Sequence, residues 1–291
     1  MKYFPLVYFF FLSITLSAQS FNGYDFSLDG HWVGDNNSAA AFQSYSLRAK
    51  LITQPLKQGA RGIMTLSVND DFVEINFNDH PELFKDLKYS HSIGMTIGYF
   101  RQLRNSKWSF ASMLIPQLNS NFTNGISADD LYLTAVALLN YSKQKNSRFS
   151  FGLAYANTLG FPAPIPVVNY WKAWNEKWEM NLGFPRINIT RHFNSKNSLV
   201  AFMELKGYNG NISKNITNPI FKQGRVAQRI SYQDVLTGLE WQYHLKKFQF
   251  KINTSYTVNR KFELQNASHD TTYKFDMSRN FNVGVGVGFN L

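Results

Sequence analysis

The sequence predicts an all-β protein: a single transmembrane, antiparallel, up-and-down β-barrel of about 14 strands, with both termini at the periplasmic end. Three features predict it, namely an N-terminal export signal, hydrophobicity that alternates with a period of two, and short polar turns that alternate with longer connections. After residue 20 no apolar run reaches the roughly 18 residues that a transmembrane helix needs, so strands are the elements expected to cross the membrane.

The N-terminal segment has the pattern of a secretory signal peptide. Lys2 gives a basic start, and an apolar stretch follows it up to Leu16. We expect cleavage after Ala18, which makes residues 1–18 the signal peptide and residues 19–291 the barrel. An uncleaved anchor helix is the alternative, although the stretch is short for a span of about 20 residues. The chain has no cysteine, which excludes a lipoprotein anchor, disulfides and thiolate metal sites.

The composition favours an exported strand protein over a nucleic-acid-binding one. Aromatic residues make up 16% of the chain, with 26 Phe and 15 Tyr, whereas charged residues make up only 17%. The net charge of +11 can indicate a nucleic-acid partner, but the basic residues are scattered and many lie in short turns. We therefore interpret the charge as facing a membrane surface and the periplasm, and we predict no nucleic-acid partner.

Apolar and polar residues alternate along most of the chain, as they do in a strand with one buried face. In the last segment, glycine and asparagine occupy one face and apolar residues the other. We expect the apolar face to meet lipid and to signal barrel assembly; it comprises Phe281, Val283, Val285, Val287, Phe289 and Leu291. A soluble sandwich shows the same alternation, but strands of about 10 residues with aromatics near their ends favour a transmembrane barrel.

The connections predict the strand order. Short turns, most of them basic, occur near 57–61, 104–107, 145–148, 174–177, 194–197 and 246–247, and short turns are periplasmic in transmembrane barrels. Long connections are expected near 30–40, 73–87, 118–129, 209–228 and 259–271, with two tighter ones near Gly160 and Pro185. The strands then lie near 21–29, 41–55, 62–72, 88–102, 107–117, 130–143, 148–158, 164–173, 177–184, 186–193, 198–208, 229–245, 247–258 and 272–291. The count becomes about 12 without the first strand and the break at Pro185.

A distinctive motif lies in the middle of the chain. Gly160-Phe161-Pro162 precedes Pro164-Ile165-Pro166 and Tyr170, and Trp178 leads into Asn181-Leu182-Gly183-Phe184-Pro185-Arg186. This stretch, roughly 150–210, resembles an uncharacterised family of outer-membrane barrels of Bacteroidota-type bacteria, known only as a domain of unknown function. The resemblance implies an outer-membrane barrel and no chemistry. Type IX secretion barrels are a weaker resemblance, because their asparagine- and proline-rich opening is missing here.

The two Gly-Phe-Pro segments are expected at the outer ends of hairpins. A structural role, in which glycine permits an unusual backbone and proline ends the ladder, is one interpretation. A shared binding rim is the other.

Some outer-membrane barrels are enzymes, but this sequence has no catalytic motif. It contains neither a G-x-S-x-G elbow, nor an H-E-x-x-H zinc motif, nor a glycine-rich phosphate loop. The pairs Asp79-His80 and His269-Asp270 are predicted to be solvated loop residues. The acidic segment 69–86 does not match the spacing of an EF-hand loop and is predicted to be a solvated outer loop, with divalent bridging to lipopolysaccharide as the alternative. We predict no catalytic residue, no cofactor and no metal.

The polar faces of the strands predict a charged lumen. If the alternation holds, eight titratable side chains point inward: Arg48, Lys50, Glu179, Glu204, Lys206, Glu240, His244 and Lys251. Charges of both signs can form a packed network or line a water-filled pore. The interior of a barrel of about 14 strands is wider than side chains alone fill, which favours a pore or ligand cavity unless a loop such as 209–228 forms a plug.

Together these features predict a porin-like channel or transporter for small solutes in the outer membrane of a Gram-negative bacterium. A non-catalytic structural or interaction protein of the envelope, including an accessory of a secretion system, is the alternative. A lipid-directed hydrolase is a remote third possibility. The expected partners are outer-membrane lipid, lipopolysaccharide and the barrel-assembly machinery.

Overall fold

A computed structural model describes residues 26–33, 39–55, 62–103, 107–157, 159–222 and 226–290. Within these ranges strands dominate, and fifteen of them form one sheet. The predicted signal peptide at residues 1–18 lies outside the described residues, so its cleavage stays a prediction. Among the described residues, no helix is long and apolar enough to span a membrane.

The sheet closes on itself. Its strands are β1 (Phe26–Val33), β2 (Ala40–Pro55), β3 (Gly62–Phe77), β4 (Tyr89–Gln102), β5 (Trp108–Ser120), β6 (Leu131–Gln144), β7 (Ser147–Ala156), β8 (Ala163–Ala173), β9 (Trp178–Gly183), β10 (Arg186–His192), β11 (Asn197–Thr217), β12 (Val226–Leu245), β13 (Phe248–Gln265), β14 (Thr271–Lys274) and β15 (Phe281–Phe289). β15 pairs with β1 on one edge and with β13 on the other. β14 only extends the edge of β13. The closed wall therefore has fourteen antiparallel strands, which confirms the predicted all-β barrel.

The two ends of the barrel differ in their connections. At one end, which we call the turn end, six connections join consecutive strands, and the first and last strands meet with Phe26 opposite Phe289. The other end, the loop end, carries seven connections, including helix α1 (Pro81–Phe84) and two 3₁₀ turns (Lys85–Leu87 and Ala128–Asp130). The predicted alternation of the connections is confirmed, whereas the periplasmic position of the turn end stays a prediction.

All five predicted long loops are wrong in extent, because strands continue into them. The extensions reach Val33 in β1, Phe77 in β3, Ser120 in β5, Thr217 in β11 and Gln265 in β13. In the extension of β13 the two-residue period fades because neighbouring elements cover both of its faces. Phe262 and Glu263, for example, are adjacent in sequence and both buried.

The predicted last strand, 272–291, is interrupted. β14 and β15 are separated by residues 275–280, where the chain leaves the ladder. Phe275 lies at the start of the interruption, and its ring is buried at the loop end and only 2% exposed. Its backbone N–H donates to the carbonyl of Phe262 at 3.0 Å.

The outer face of the wall is apolar. On β15 alone, Phe281, Val283 and Val285 are 71%, 51% and 44% exposed. Leu291, the last residue of the predicted assembly signal, lies outside the described residues. An apolar outer face is what a transmembrane barrel presents to lipid.

Aromatic rings border this apolar face at two levels. Towards the loop end, the rings of Trp32, Tyr45, Phe72 and Tyr89 form a row across β1–β4, with successive centroids 6.1, 6.1 and 5.7 Å apart. Near the turn end lie the pairs Trp108–Tyr141 and Phe248–Phe289, each with centroids 4.8 Å apart. Two such levels correspond to the girdles that mark the interfaces of a membrane.

Side chains of neighbouring strands cover the glycines of β15. A Cβ on Gly286 would overlap the carboxylate of Asp29, and one on Gly284 would overlap the ring of His31. Asp29 reaches across β15 towards β13, where its Oδ1 lies 3.9 Å from Nζ of Lys251. The glycine face therefore makes room for an ion pair over the seam where the barrel closes.

We expect Phe289→Asp to prevent assembly of the barrel. The change puts a charge on the lipid-facing side of the closing strand and removes the ring that packs on Phe248. Heat-modifiable mobility on gels, measured on envelopes of expressing cells, reports folding. Asn290→Asp introduces the same charge one residue away and serves as the control, which we expect to fold. Deletion of residues 282–291 removes the partner of both β1 and β13 and should fail as well. Normal heat-modifiable folding of Phe289→Asp or of the deletion would contradict the assigned role.

Candidate functional site

A cavity of about 1040 Å³ occupies the interior of the barrel. It extends from beneath the loop end, where Phe42, Val73 and Tyr232 line it, to Asn290 at the turn end. Its wall comes from β1–β5, β10–β13 and β15, whose residues of one parity point inward. This cavity is the candidate site.

An aromatic core fills the loop end above the cavity. Phe84 of α1, Phe262 of β13 and Phe275 are only 0%, 0% and 2% exposed. The rings of Phe262 and Phe275 stack with centroids 4.3 Å apart, and Phe84 meets Phe275 at 5.0 Å. The same core contains Ala39, Ala40, Phe42, Ile75, Leu87, Ile212, Phe221, Ala227, Ile230 and Leu264.

The outer parts of β11 and β12 cross the loop end as a two-stranded leaf, which consists of residues 206–217 and 226–234. β11 pairs with β10 only up to Glu204, because the hairpin of β9 and β10 is short. Beyond that point its free edge meets β5, where Asn211 pairs with Ser120 in parallel. The segment that the sequence offered as a plug loop thus enters the barrel mouth as strands.

Polar contacts hold the leaf against the opposite rim of the loop end, which is formed by the end of β5 and the connection from β5 to β6. Ser120 Oγ lies 3.0 Å from Ser213 Oγ, and Asn211 Nδ2 donates to Oδ1 of the buried Asp130 at 2.8 Å. The backbone N–H of Ser127 donates to the other oxygen of Asp130 at 2.6 Å. Burial raises the pKa of Asp130, but hydrogen bonds from Ser127, Asn211 and Ser120 outweigh burial and hold that pKa below its ordinary value.

Asn209 is the centre of the contact between leaf and rim. Its side chain is 0% exposed. Its Nδ2 donates to the carbonyl of Gly160 at 2.9 Å and to Oε1 of Gln265 at 3.1 Å, and its Oδ1 accepts from the Tyr132 hydroxyl at 3.1 Å. Its carbonyl accepts from Asn119 Nδ2 at 3.1 Å. A buried polar network with its partners in place specifies one arrangement of the elements it joins.

Charged side chains of both signs line the cavity. The basic ones are Arg48, Lys50, Arg186, Lys206, Lys251 and Arg260, and the acidic ones are Asp29, Asp71, Glu204, Asp234 and Glu240. Arg186 lies 3.6 Å from Glu204 and 3.8 Å from Glu240. In the part of the chain that the structure describes, no carboxylate lies within 4.0 Å of Arg48 or Lys206. These two cations therefore face the lumen without a partner.

A buried ion pair separates the cavity from the aromatic core. Arg260 donates from Nε to Asp234 Oδ1 at 2.7 Å and from Nη2 to Oδ2 at 2.5 Å. The two side chains are 2% and 3% exposed. The guanidinium carbon of Arg260 also lies 5.1 Å from the centre of the Phe42 ring. Removal of one partner from a buried pair costs about 3–5 kcal/mol, so this contact fixes β12 against β13 at the base of the core.

Six of the eight predicted lumen residues line the cavity: Arg48, Lys50, Glu204, Lys206, Glu240 and Lys251. The structure places the other two near the turn end, outside the cavity lining. Glu179 Oε1 lies 3.8 Å from His192 Nε2, and His244 Nε2 lies 3.0 Å from Gln249 Nε2.

Five further charged residues of the cavity were missed from sequence. Strand parity could have found Asp29, Asp71, Arg186 and Asp234, because they lie in predicted strands on the inward face. Arg260 is different, because a bulge in β13 shifts the pairing between Val235–Asn259 and Leu236–Thr257. Past the bulge the inward parity reverses, which no alternation of residue types reveals.

The two Gly-Phe-Pro segments have distinct structural roles. Gly160, at φ 75°, presents its carbonyl to the leaf, where it accepts from Ser231 Oγ at 2.6 Å. The second segment ends β9 at Gly183 and begins β10 at Arg186, which places the Arg186 guanidinium in the lumen.

The prolines that follow the first motif lie on a free strand edge. β9 reaches only as far as Asn169 of β8, so residues 163–168 have no strand on that side among the described residues. The ladder between β7 and β8 runs unbroken through Pro164 and Pro166. Residues two apart direct their nitrogens to the same edge, and proline has no N–H to satisfy there.

The prediction that the acidic segment 69–86 is an outer loop is wrong for its first half. Asp70, Asp71 and Glu74 belong to β3. Glu74 Oε1 lies 3.3 Å from Lys88 Nζ, and Asp70 Oδ1 lies 3.6 Å from His91 Nδ1. Across the described ranges, no three side chains of the metal-binding types gather into a possible site. Asp79-His80 and His269-Asp270 lie in loop-end connections.

Comparison with known proteins gives similar folds at low identity. A structure of the NanC porin is 11% identical, with a TM-score of 0.39, over 91% of this chain and 100% of that chain. The TodX monoaromatic hydrocarbon channel is 10% identical, with a TM-score of 0.38, over 92% and 90%. The translocator domain of the autotransporter NalP from Neisseria meningitidis is 11% identical, with a TM-score of 0.33, over 93% and 90%. No curated protein matches the chain.

One family covers almost the whole chain. Its description is "Domain of unknown function (DUF6268)", and it matches residues 27–290, from β1 through β15. The expectation of a family of unknown function is confirmed, whereas the Bacteroidota-type source stays a prediction. The chain therefore belongs to the DUF6268 family.

Proposed function

We propose that this protein is an outer-membrane channel for small polar solutes, and that its loop end is closed in the conformation described here. The observation that carries the proposal is the polar cavity inside a closed barrel. Its volume of about 1040 Å³ lies at the upper end of the range of sites for drug-sized ligands, about 300–1,000 Å³. An interior of this size accommodates a solute together with water.

The charges on the cavity wall favour the interpretation of a conducting lumen and argue against a packed interior. Arg48 is exposed and Lys206 half-buried, and neither is neutralised by a nearby carboxylate in the described residues. A packed network would leave its charges paired, because a buried unpaired charge is costly. Unpaired cations in a lumen are instead consistent with water at the wall, where they set ion selectivity.

The leaf is the gate in this proposal. Its face towards the aromatic core is apolar, with Ile212 and Ile230, whereas its contacts with the opposite rim run through Asn209, Asn211 and Ser213. Hydrogen bonds exchange for bonds to water at a net cost of only about 0.5–1.5 kcal/mol each. The leaf can therefore separate from the rim more readily than from the core, and the pore would open between leaf and rim.

A second function is favoured by one observation. The aromatic core fills the loop end, as expected of a barrel that serves as a structural or interaction protein of the envelope rather than as a channel. Conductance measurements separate the two functions, because an interaction protein has no need of a gate.

The first prediction concerns ion selectivity. Arg48→Gln combined with Lys206→Gln should shift permeability towards cations by roughly two- to tenfold, because a charge about 10 Å from an ion contributes about 0.4–1.7 kcal/mol at an effective dielectric constant of about 80–20. Reversal potentials across planar bilayers with a salt gradient measure the shift. Lys85→Gln combined with Lys222→Gln removes the same charge from exposed positions at the loop end and should leave selectivity unchanged. Equal reversal potentials for the two double variants would contradict a lumenal path.

The second prediction uses the absence of cysteine from the chain. Ser120→Cys with Ser213→Cys replaces two hydroxyls whose oxygens are 3.0 Å apart, so oxidation should join the leaf to β5 by a disulfide. We expect oxidation to abolish conductance and a reducing agent to restore it. Each single cysteine variant is a control and should conduct under both conditions. If the double variant conducts normally with its disulfide verified by mass spectrometry, the leaf is not the gate.

The third prediction concerns Asp130, which binds the leaf. Asp130→Ala removes charge-assisted hydrogen bonds worth about 1.5–3 kcal/mol, so the open probability should rise roughly tenfold or more. Asp129→Ala, the exposed neighbour, is the matched control.

Because the pKa of docked Asp130 is lowered, the contribution of Asp130 to closure is present at neutral pH and is lost as the pH falls through that lowered value. Acid should therefore open the wild type but not raise the open probability of Asp130→Ala further. A complete lack of conductance in Asp130→Ala would refute the channel and favour the interaction protein.

A further inference from the structure

The net charge of the chain is concentrated at the turn end. In the described residues, eleven basic side chains lie on or beside the turns there: Arg101, Lys107, Lys143, Lys145, Arg148, Lys172, Lys177, Arg191, Lys196, Lys246 and Lys247. Only two acidic residues, Glu176 and Glu179, share this end, so it carries nine excess positive charges, against +11 for the whole chain. All of these basic side chains except that of Lys172 are exposed.

Among the described residues these basic side chains are not neutralised, because none of the eleven has a carboxylate within 4.0 Å. At the loop end, by contrast, basic residues form pairs, as in Lys88–Glu74 at 3.3 Å and Lys261–Glu263 at 2.8 Å. The turn end therefore presents positive charge that an external anionic partner can meet.

Three of these basic residues form an outward row near the turn end of one wall segment: Arg101 of β4, Lys172 of β8 and Arg191 of β10. Lys143 of β6 is exposed between them, past a register shift that follows Tyr141. Strand parity sets their direction, because the lumen receives residues of the opposite parity, such as Thr96 of β4 and Arg186 of β10. The row therefore faces the surroundings of the barrel and not the solute path.

Each member of this row lies beside an outward aromatic ring. Tyr99 and Tyr170 precede Arg101 and Lys172 by two residues and share their faces. The guanidinium of Arg191 lies 5.3 Å from the ring centre of Trp178 and 5.1 Å from that of Phe193. Aromatic rings of this kind occupy the boundary between hydrocarbon and headgroups, and long basic side chains extend from that level to the headgroups.

From this arrangement we propose that the outward row and the basic turns bind anionic phospholipid headgroups in the leaflet at the turn end. The aromatic rings set the depth, and the cations beyond them contact phosphate oxygens. The chemistry requires a headgroup with net negative charge, because a zwitterionic headgroup offers its phosphate together with a compensating amine. Attraction of this kind is worth about fivefold in affinity for each basic residue near an anionic surface, which is about 1 kcal/mol.

The tryptophans make the proposal measurable. Trp108, Trp171, Trp174, Trp178 and Trp241 lie near the turn end, whereas Trp32 lies towards the loop end. Bromine on a lipid chain quenches tryptophans that touch that lipid. The folded full-length protein is reconstituted in phosphatidylcholine vesicles that contain the same small fraction of either brominated phosphatidylglycerol or brominated phosphatidylcholine. We expect stronger quenching by the anionic lipid, and we expect high salt to remove the difference.

Two quadruple variants of equal charge decide the location of the binding site. Arg101→Gln, Lys143→Gln, Lys172→Gln and Arg191→Gln together should reduce the preference for the anionic lipid by at least fivefold. Lys85→Gln, Lys214→Gln, Lys222→Gln and Lys274→Gln change four exposed loop-end lysines and should retain the preference. Heat-modifiable mobility verifies that both variants are folded.

Three outcomes would overturn the proposal. Equal quenching of the wild type by the two brominated lipids would show that the protein does not distinguish lipids by the charge of their headgroups. An equal loss of preference in both quadruple variants would show that only the net charge of the chain matters. Saturable binding of polyglutamate to the wild type in phosphatidylcholine vesicles, without any lipid preference, would indicate that the basic turns bind an acidic protein partner instead.

Discussion

The structure depends on the pairing of backbone hydrogen bonds around a closed sheet. A backbone group that faces hydrocarbon has no water to bond with, so an open edge within the membrane is not tolerated. β15 removes the edge between β1 and β13 by pairing with both along its whole length. Its glycine face has a matching role, because side chains from both neighbours lie across it and join in the ion pair of Asp29 with Lys251. The last strand thus closes the ladder and the lumenal charge network together.

The same constraint accounts for the closed loop end. The hairpin of β9 and β10 ends near Pro185, so β11 loses its neighbour after Leu205, whose N–H donates to the Pro185 carbonyl at 2.9 Å. The free edge of β11 finds partners on β5 instead. β12 and β13 accompany it and bring Ile230, Phe262 and Leu264 into the mouth. The short hairpin of β9 and β10 therefore leaves β11 free to extend into the leaf. The strands of the leaf and β13 in turn supply residues to the aromatic core.

Sequence reasoning succeeded where each strand has one polar and one apolar face. There the alternation located all fourteen wall strands, and the polar turns gave their order, although β3, β11 and β13 run well beyond their predicted ends. It failed where strands meet a second layer. The outer parts of β12 and β13 are covered on both faces, so Ile230 and Ser231 are both buried, as are Phe262 and Glu263, and no period remains. The cavity residues follow the same division. Strand parity identifies Asp29 and Asp234 as inward-facing, but the inward parity reverses at the bulge before Arg260.

The different chemistry of the two leaf faces determines where a passage can form. Separation from the core would expose Ile212, Ala227 and Ile230, and apolar area costs about 25 cal/mol per Å² when it is returned to water. Separation from the rim exposes Asn209, Asn211 and Ser213, which bond to water equally well. The buried pair of Asp234 with Arg260 also fixes the base of the leaf to β13, on the side of the core. A passage would therefore form beside β5–β8, below the Gly160 loop, while the aromatic core stays packed against β2 and β3.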